Sequence, residues 1–266
     1  MKILTVPSSN LGRSVGDVFL ALSSSQYVNR KTEAIGFLTH TNHAEISLLF
    51  RRKIDLLILS DAAEKNADLL NTINIHWNGS LWPRELINIQ NPWRYFIMNQ
   101  VAVKELSWDF SQKSTLIGRR VVVIFPERSD NHRLQDSYFT DFINLAKNKG
   151  FKVYTNCYIN SNYVSSPALP GTLPLSQLSL SDIISIASDP SNVLVGTRSG
   201  LFDVLYFIVP ELHARLVIIY PPQPTWLWAS ARFHNEEVRI NFPKFYMHRK
   251  NIIEVELEKF DPNILL

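Results

Sequence analysis

The chain has 266 residues, 45% of them hydrophobic, with 27 Lys and Arg against 24 Asp and Glu and a formal charge of +3. That length buries one large core or two ordinary ones without metal or disulfide support. The single cysteine, Cys157, excludes an intramolecular disulfide framework and suits a reducing compartment, and dispersed basic residues give no reason to expect nucleic acid.

No apolar stretch approaches the roughly 20 residues that span a bilayer. The opening Met1-Lys-Ile-Leu-Thr-Val run turns polar by Ser8, too short for the apolar region of a signal peptide. A cytoplasmic protein is therefore expected. The clusters Arg51-Arg-Lys53 and His248-Arg-Lys250 leave room for peripheral association with anionic lipid at the inner face of the membrane, though such clusters are more often solvated faces.

In chain order, Ile3–Val6 predicts a strand, Pro7–Gly16 a polar loop, and the run from Asp17 a helix with Val18, Leu22 and Val28 near a helical period. Ala34–Leu38 and Leu56–Leu59 predict short buried strands around a helix at His43–Phe50. This alternation belongs to a parallel α/β layer. Trp77–Phe110 interrupts the rhythm with four of the six tryptophans; its helices and loops suit either an apolar wall over a cleft or ordinary packing aromatics.

A second α/β unit starts near Gly118. Val121–Phe125 is a continuous apolar, mostly β-branched run of the kind found in a central parallel strand. Asp136–Lys149 predicts a helix with Phe139, Phe142, Ile143 and Ala146 on one side, stopped by Gly150, and Phe151–Thr155 the next strand. The loop Asn156–Pro174 is long enough to suggest a functional or mobile segment. Leu178–Ala187 predicts a helix, Val193–Val195 a strand, Gly200–Phe207 a helix and Leu216–Tyr220 a strand closed by Pro221-Pro222. The expected organisation is two Rossmann-like parallel-sheet domains, residues 1–114 and 115–266, facing each other across a cleft. The C-terminal Asn251–Leu257 strand is expected to cross back to the first half.

Three segments carry candidate chemistry. In Gly196-Thr-Arg-Ser-Gly200 an apolar strand hands over to a helix, which brings Arg198, the Ser199 hydroxyl and the N–H groups around Gly200 to one spot where the helix dipole favours an anion. Gly196 and Gly200 alternatively serve only a tight turn. Asp17 starts a helix beyond the carboxyl end of a strand, where it fits both a helix cap and a proton acceptor for an incoming hydroxyl. Behind the strand ending at Phe125, residues Glu127, Arg128, Asp130, His132 and Arg133 place five ionisable groups in seven positions. A solvated loop explains these too; as a site, Arg128 and Arg133 would grip a diphosphate in fork geometry.

Other chemistries find no support. The sequence has no P-loop, no G-x-G-x-x-G after its first strand, no G-x-S-x-G elbow and no His or Cys pairs at zinc spacing. Asp-x-Asp is absent, so a diphosphate would have to be neutralised by Arg, Lys and helix N-termini rather than by a bound Mg²⁺. Cys157 ends an expected buried strand, where packing explains it better than nucleophilic chemistry.

Two anchors carry a family likeness. The opening Lys2-Ile-Leu-Thr-Val-Pro-Ser-Ser with Gly16-Asp-Val-Phe-Leu-Ala-Leu, and the run from Val121-Val-Val-Ile-Phe-Pro through Lys149-Gly-Phe-Lys-Val-Tyr to Gly196-Thr-Arg-Ser-Gly-Leu-Phe-Asp203, resemble the GT-B glycosyltransferases of the heptosyltransferase-like branch. The second anchor is also similar to surface-polysaccharide (capsule) proteins. The resemblance implies a GT-B fold and a metal-independent sugar transfer from a nucleotide diphosphate donor to a hydroxyl of a bacterial surface glycan, such as lipopolysaccharide, or of its lipid-linked precursor. It implies no cofactor beyond the nucleotide-sugar co-substrate. Asp17 matches the family's catalytic base, and Arg198, Ser199, Gly200 and Asp203, with Glu127, Arg128 and Arg133, fall in the donor half. Ser9, Asn10 and Arg13 lie in the acceptor-side loop. Arg198 stands where heptosyltransferases commonly carry an acidic residue, so the likeness does not extend to heptose as the transferred sugar. An epimerase or hydrolase acting on nucleotide sugars, and a non-catalytic sugar- or nucleotide-binding partner protein, are alternatives on the same fold.

Overall fold

The computed structural model describes residues 2–5, 35–39, 45, 56–59, 73–74, 120–126, 133–157, 166–176, 178–197, 199–202, 204–205, 213–220 and 250–266. The chain divides into two compact units, Met1–Asp109 with His234–Tyr246, and Phe110–Phe233 with Met247–Leu266.

The first unit contains a parallel four-stranded sheet built from β1 (Lys2–Thr5), β2 (Ile35–Thr39), β3 (Leu56–Leu59) and β4 (Ile73–Asn74), in the order β3-β2-β1-β4. Lys2 pairs with Ile35 and Gly36 with Leu56, so the three expected strands lie side by side. The two-residue β4 carried no strand signal, being too short for a period. It returns to the free side of β1, which puts a topological switch between β1 and β4. Of the helix expected at His43–Phe50, Glu45 is described, and it is helical and exposed. The helix expected from Asp17 and the tryptophan-rich Trp77–Phe110 lie outside the described residues.

The second unit holds a six-stranded parallel sheet ordered β10-β9-β8-β5-β6-β7. Its strands are β5 (Val121–Phe125), β6 (Lys152–Cys157), β7 (Leu173–Ser176), β8 (Val193–Thr197), β9 (Arg215–Tyr220) and β10 (Ile252–Glu256). All of β5 and β8 is buried, as their near-continuous apolar sequences require of strands covered on both faces. Helix α1 (Ser137–Asn148) buries Phe139, Phe142, Ile143 and Ala146, a stripe at helical spacing. These residues form one core with Val122, Ile124, Val153, Val193, Val195, Val217 and Ile219. The helix ends where expected: the Phe151 N–H donates to the Ala146 carbonyl and the Gly150 N–H to the Lys147 carbonyl, with Gly150 at φ 82°. That doubled closure needs a left-handed residue, which glycine supplies without a Cβ penalty. Helix α2 (Leu180–Ala187) starts at Ser179, whose hydroxyl oxygen accepts from the Asp182 N–H at 3.0 Å while the hydroxyl donates to the Asp182 carboxylate at 2.7 Å.

Two expectations need correction. The Asn156–Pro174 stretch is not loop to its end: β7 begins at Leu173 and pairs with β6 as an edge strand. Pro174 reads as a strand breaker, but an edge strand leaves one row of N–H positions outside the ladder and tolerates it. The segment before β7 is tied down as well, because the buried Thr155 hydroxyl oxygen accepts from the Leu169 N–H at 3.1 Å and lies 2.6 Å from the Thr172 hydroxyl. The second correction concerns the C-terminus. β10 does not cross back to the first unit but pairs with β9 along its whole length, Ile252 to Leu216 through Glu256 to Tyr220. A 3₁₀ turn (Leu257–Lys259) and helix α3 (Pro262–Leu265) follow. Ile253, Val255, Leu257, Phe260 and Leu266 pack on the same core, with the Phe260 ring 5.8 Å from that of Phe142. Packing of these five apolar side chains on the core holds the tail to the second sheet.

Asn192, just before β8, joins three elements, β5, α2 and β9. Fully buried, its Oδ1 accepts from the Val121 N–H of β5 at 2.9 Å and its Nδ2 donates to the Ile186 carbonyl of α2 at 2.9 Å. Its own N–H donates to the Asp189 carbonyl and its carbonyl accepts from the Arg215 N–H of β9. Asn192→Ala strands one buried N–H and one buried carbonyl, for which we expect a loss of about 2–4 kcal/mol in urea-unfolding stability.

Candidate functional site

Chain order in the second sheet runs outward from β5 through β6 and β7, then returns to the other side of β5 for β8, β9 and β10. The switch point therefore lies between β5 and β8, and in parallel sheets ligands bind beyond the carboxyl ends at that place. Register puts Phe125 opposite Gly196, so Pro126, just past β5, and Thr197, the last residue of β8, flank the switch point.

Gly196 is required here by space. A Cβ at this position would sit 2.6 and 2.7 Å from atoms of the Phe202 ring and 2.8 Å from the Phe125 carbonyl oxygen. Phe202 is buried and meets Phe125 edge-on, ring centroids 5.5 Å apart at 80°. Neither Gly196 nor Gly200 has a positive φ, so the tight-turn role open to them in the sequence gives way to close approach at Gly196 and to helix entry at Gly200. The helix is thereby pressed onto the strand that precedes it.

Gly200, Leu201, Phe202, Val204 and Leu205 are helical. Ser199 stands at the cap position, its hydroxyl oxygen accepting from the Phe202 N–H at 3.5 Å. Helix geometry gives the N–H groups of Gly200 and Leu201 no intrahelical acceptor. Next to this start is Thr197, 3% exposed, whose Oγ1 has no hydrogen-bond partner among the described residues. An unpaired buried hydroxyl costs about 1–3 kcal/mol. Among the described residues no group of three His, Cys, Asp or Glu side chains gathers as metal ligands.

Of the residues singled out in the sequence, Ser199 and Gly200 come together at the switch point. Arg133 does not join them as a free fork. Its Nε and Nη2 donate to the Asp136 carboxylate at 3.2 and 2.9 Å, and its Nη1 donates to the Pro167 carbonyl at 3.0 Å. A carboxylate three residues downstream, at the entry to α1, captures the guanidinium locally, so Arg133 fastens the loop around Pro167 to the helix start. Asp17, Ser9, Asn10, Arg13, Glu127, Arg128, Asp130, His132, Arg198 and Asp203 lie outside the described residues. Thr197 was not singled out. In the sequence it reads as part of the polar turn after Val195, whereas the structure extends β8 through it and buries it without a partner among the described residues.

No protein-family model matches this sequence, and no curated protein matches it. Solved structures do. The chain is similar to the E. coli heptosyltransferase WaaC with ADP-2-deoxy-2-fluoro heptose at a TM-score of 0.53 and 13% identity, over 99% of this chain and 97% of that one. The same enzyme with ADP gives 0.50 at 12% identity, over 99% and 95%. A glycosyl transferase of family 9 from Veillonella parvula DSM 2008 gives 0.49 at 13% identity, over 96% and 86%. The protein thus has the α/β fold of the GT-B glycosyltransferases. Within that class its structure is similar to heptosyltransferase WaaC.

Gly196→Ala drives a methyl group into a backbone carbonyl and a buried ring. We expect a loss of about 1–3 kcal/mol in thermal or urea unfolding, partly recovered when Phe202→Leu is added, as overpacking predicts.

Proposed function

We propose that the protein is a metal-independent glycosyltransferase that moves a sugar from a nucleotide diphosphate donor to a hydroxyl of a bacterial surface glycan or its lipid-linked precursor. The observation that carries this reading is the whole-chain likeness to a heptosyltransferase solved with ADP and with ADP-2-deoxy-2-fluoro heptose. It is supported by the position of Ser199 and Gly200 beyond the carboxyl end of β8, beside the topological switch.

In this mechanism Asp17, just past the carboxyl end of β1 in sequence, accepts the proton of the acceptor hydroxyl as its oxygen attacks the anomeric carbon of the donor. The bond from that carbon to the diphosphate breaks and the nucleoside diphosphate leaves with the electron pair. The leaving group carries the developing charge, so catalysis depends on donors already aimed at it. Arg198 and Arg128 supply fixed positive charge. The Ser199 hydroxyl and the N–H groups of Gly200 and Leu201 supply directed hydrogen bonds at the positive end of the helix dipole. Glu127 and Asp203 orient the donor, and Ser9, Asn10 and Arg13 face the acceptor. Arg133, bonded to Asp136 and Pro167, supports the fold instead. The acceptor's location brings the protein to the inner face of the membrane as a peripheral visitor; among the described residues no helix is long and apolar enough to cross one.

Asp17→Asn should leave the melting temperature and its rise with nucleoside diphosphate in place while lowering transfer by about 10²–10⁴-fold, the usual worth of a general base. Transfer near the unaltered rate would remove Asp17 from that role. With the unaltered protein, release of nucleoside diphosphate should require an acceptor extract and persist in excess EDTA. Release from donor alone would identify a hydrolase, and loss of activity in EDTA would restore a metal to the mechanism.

A further inference from the structure

Every other buried polar side chain of the second sheet whose role is structural has partners. Thr155 on β6 is the direct comparison: it is fully buried, and its hydroxyl is engaged by the Leu169 N–H and the Thr172 hydroxyl. Asn156 accepts from the Leu178 N–H, and Asn192 uses both side-chain atoms. Thr197 on β8 is equally enclosed, yet its Oγ1 has no partner among the described residues.

Packing gives no reason for that hydroxyl. By strand alternation Thr197 shares a face with Val193 and Val195, both part of the core under α1. Valine has the shape of threonine with no polar atom to leave unpaired, so a third valine would serve this face better. The departure falls on the last residue of β8, beside the switch between β5 and β8 and two positions before Ser199. An unsatisfied polar group at such a place calls for a partner from outside the fold.

We propose that Thr197 is a donor-binding residue, its hydroxyl donating to a phosphate oxygen of the nucleotide diphosphate; this rests on the glycosyltransferase reading above. The group supplements Ser199, whose oxygen already caps the helix, with a donor approaching from the strand side. Binding completes a hydrogen bond that the fold leaves open and requires a small shift of whatever covers the hydroxyl. Thr197 thus exchanges some stability of the free protein for affinity toward the diphosphate.

The test is calorimetric titration of the unaltered protein, Thr197→Val and Thr197→Ser with ADP, UDP and GDP, together with their melting temperatures. For the nucleotide that binds the unaltered protein best, Thr197→Val should weaken binding about tenfold or more, as expected for loss of a hydrogen bond to a charged group. Its melting temperature should be equal or higher. Thr197→Ser keeps the hydroxyl and should stay within about threefold of the unaltered affinity, even though it gives up a buried methyl. Binding to Thr197→Val as tight as to the unaltered protein, or an equal loss in both variants, overturns the assignment and leaves the donor site standing. Failure of the unaltered protein to bind any of the three overturns the donor-site reading itself, and this inference with it.

Discussion

The buried Asn192 side chain is the interaction on which the second sheet depends. A parallel sheet has to bring together strands that are distant in sequence, and β5 and β8 are separated by a helix, two further strands and another helix. The amide of Asn192 bonds the first N–H of β5 and the last turns of α2, while its backbone bonds β9. With the amino ends held in this way, the register runs Val122 to Val193 and onward to Phe125 opposite Gly196. The same register that Asn192 holds at the amino ends aligns Phe125 with Gly196 at the carboxyl ends.

The two ends of the sheet differ in kind. At the amino end each polar atom of Asn192 is paired, and the arrangement is rigid. At the carboxyl end Gly196 admits the Phe202 ring against the strand, fixing the helix by apolar contact, while Thr197 keeps an unpaired hydroxyl. Proteins concentrate such local inconsistencies where they bind or react. The division of labour is physical: complete hydrogen bonding makes the scaffold, and incomplete hydrogen bonding on that scaffold leaves capacity for a ligand.

Much of this organisation was readable from residues. The continuous apolar runs at Val121–Phe125 and Leu216–Tyr220, the stripe Phe139, Phe142, Ile143 and Ala146, and Gly150 as a helix stop correspond to observed elements because buried parallel strands and amphipathic helices impose those patterns. The edge strands β4 and β7 carry no such pattern. β4 has two residues and β7 contains a proline, so neither displays a period. The charged cluster after Phe125 reads as a group in the sequence; of its members Arg133 is described, and Asp136 and the Pro167 carbonyl engage its guanidinium. A sequence shows which residues are charged, and only packing shows which charges are already engaged.

The sequence by itself determined the α/β class, the sites of the main strands and helices of the second unit and the succession of a strand at Val193 by a helix at Gly200, because each arises from local periodicity and backbone preference. Tertiary structure alone decided the strand order, the return of the C-terminal strand to β9, the close approach that Gly196 permits and the isolation of the Thr197 hydroxyl. These depend on atoms far apart in the chain, and no local pattern encodes which neighbour a side chain will meet.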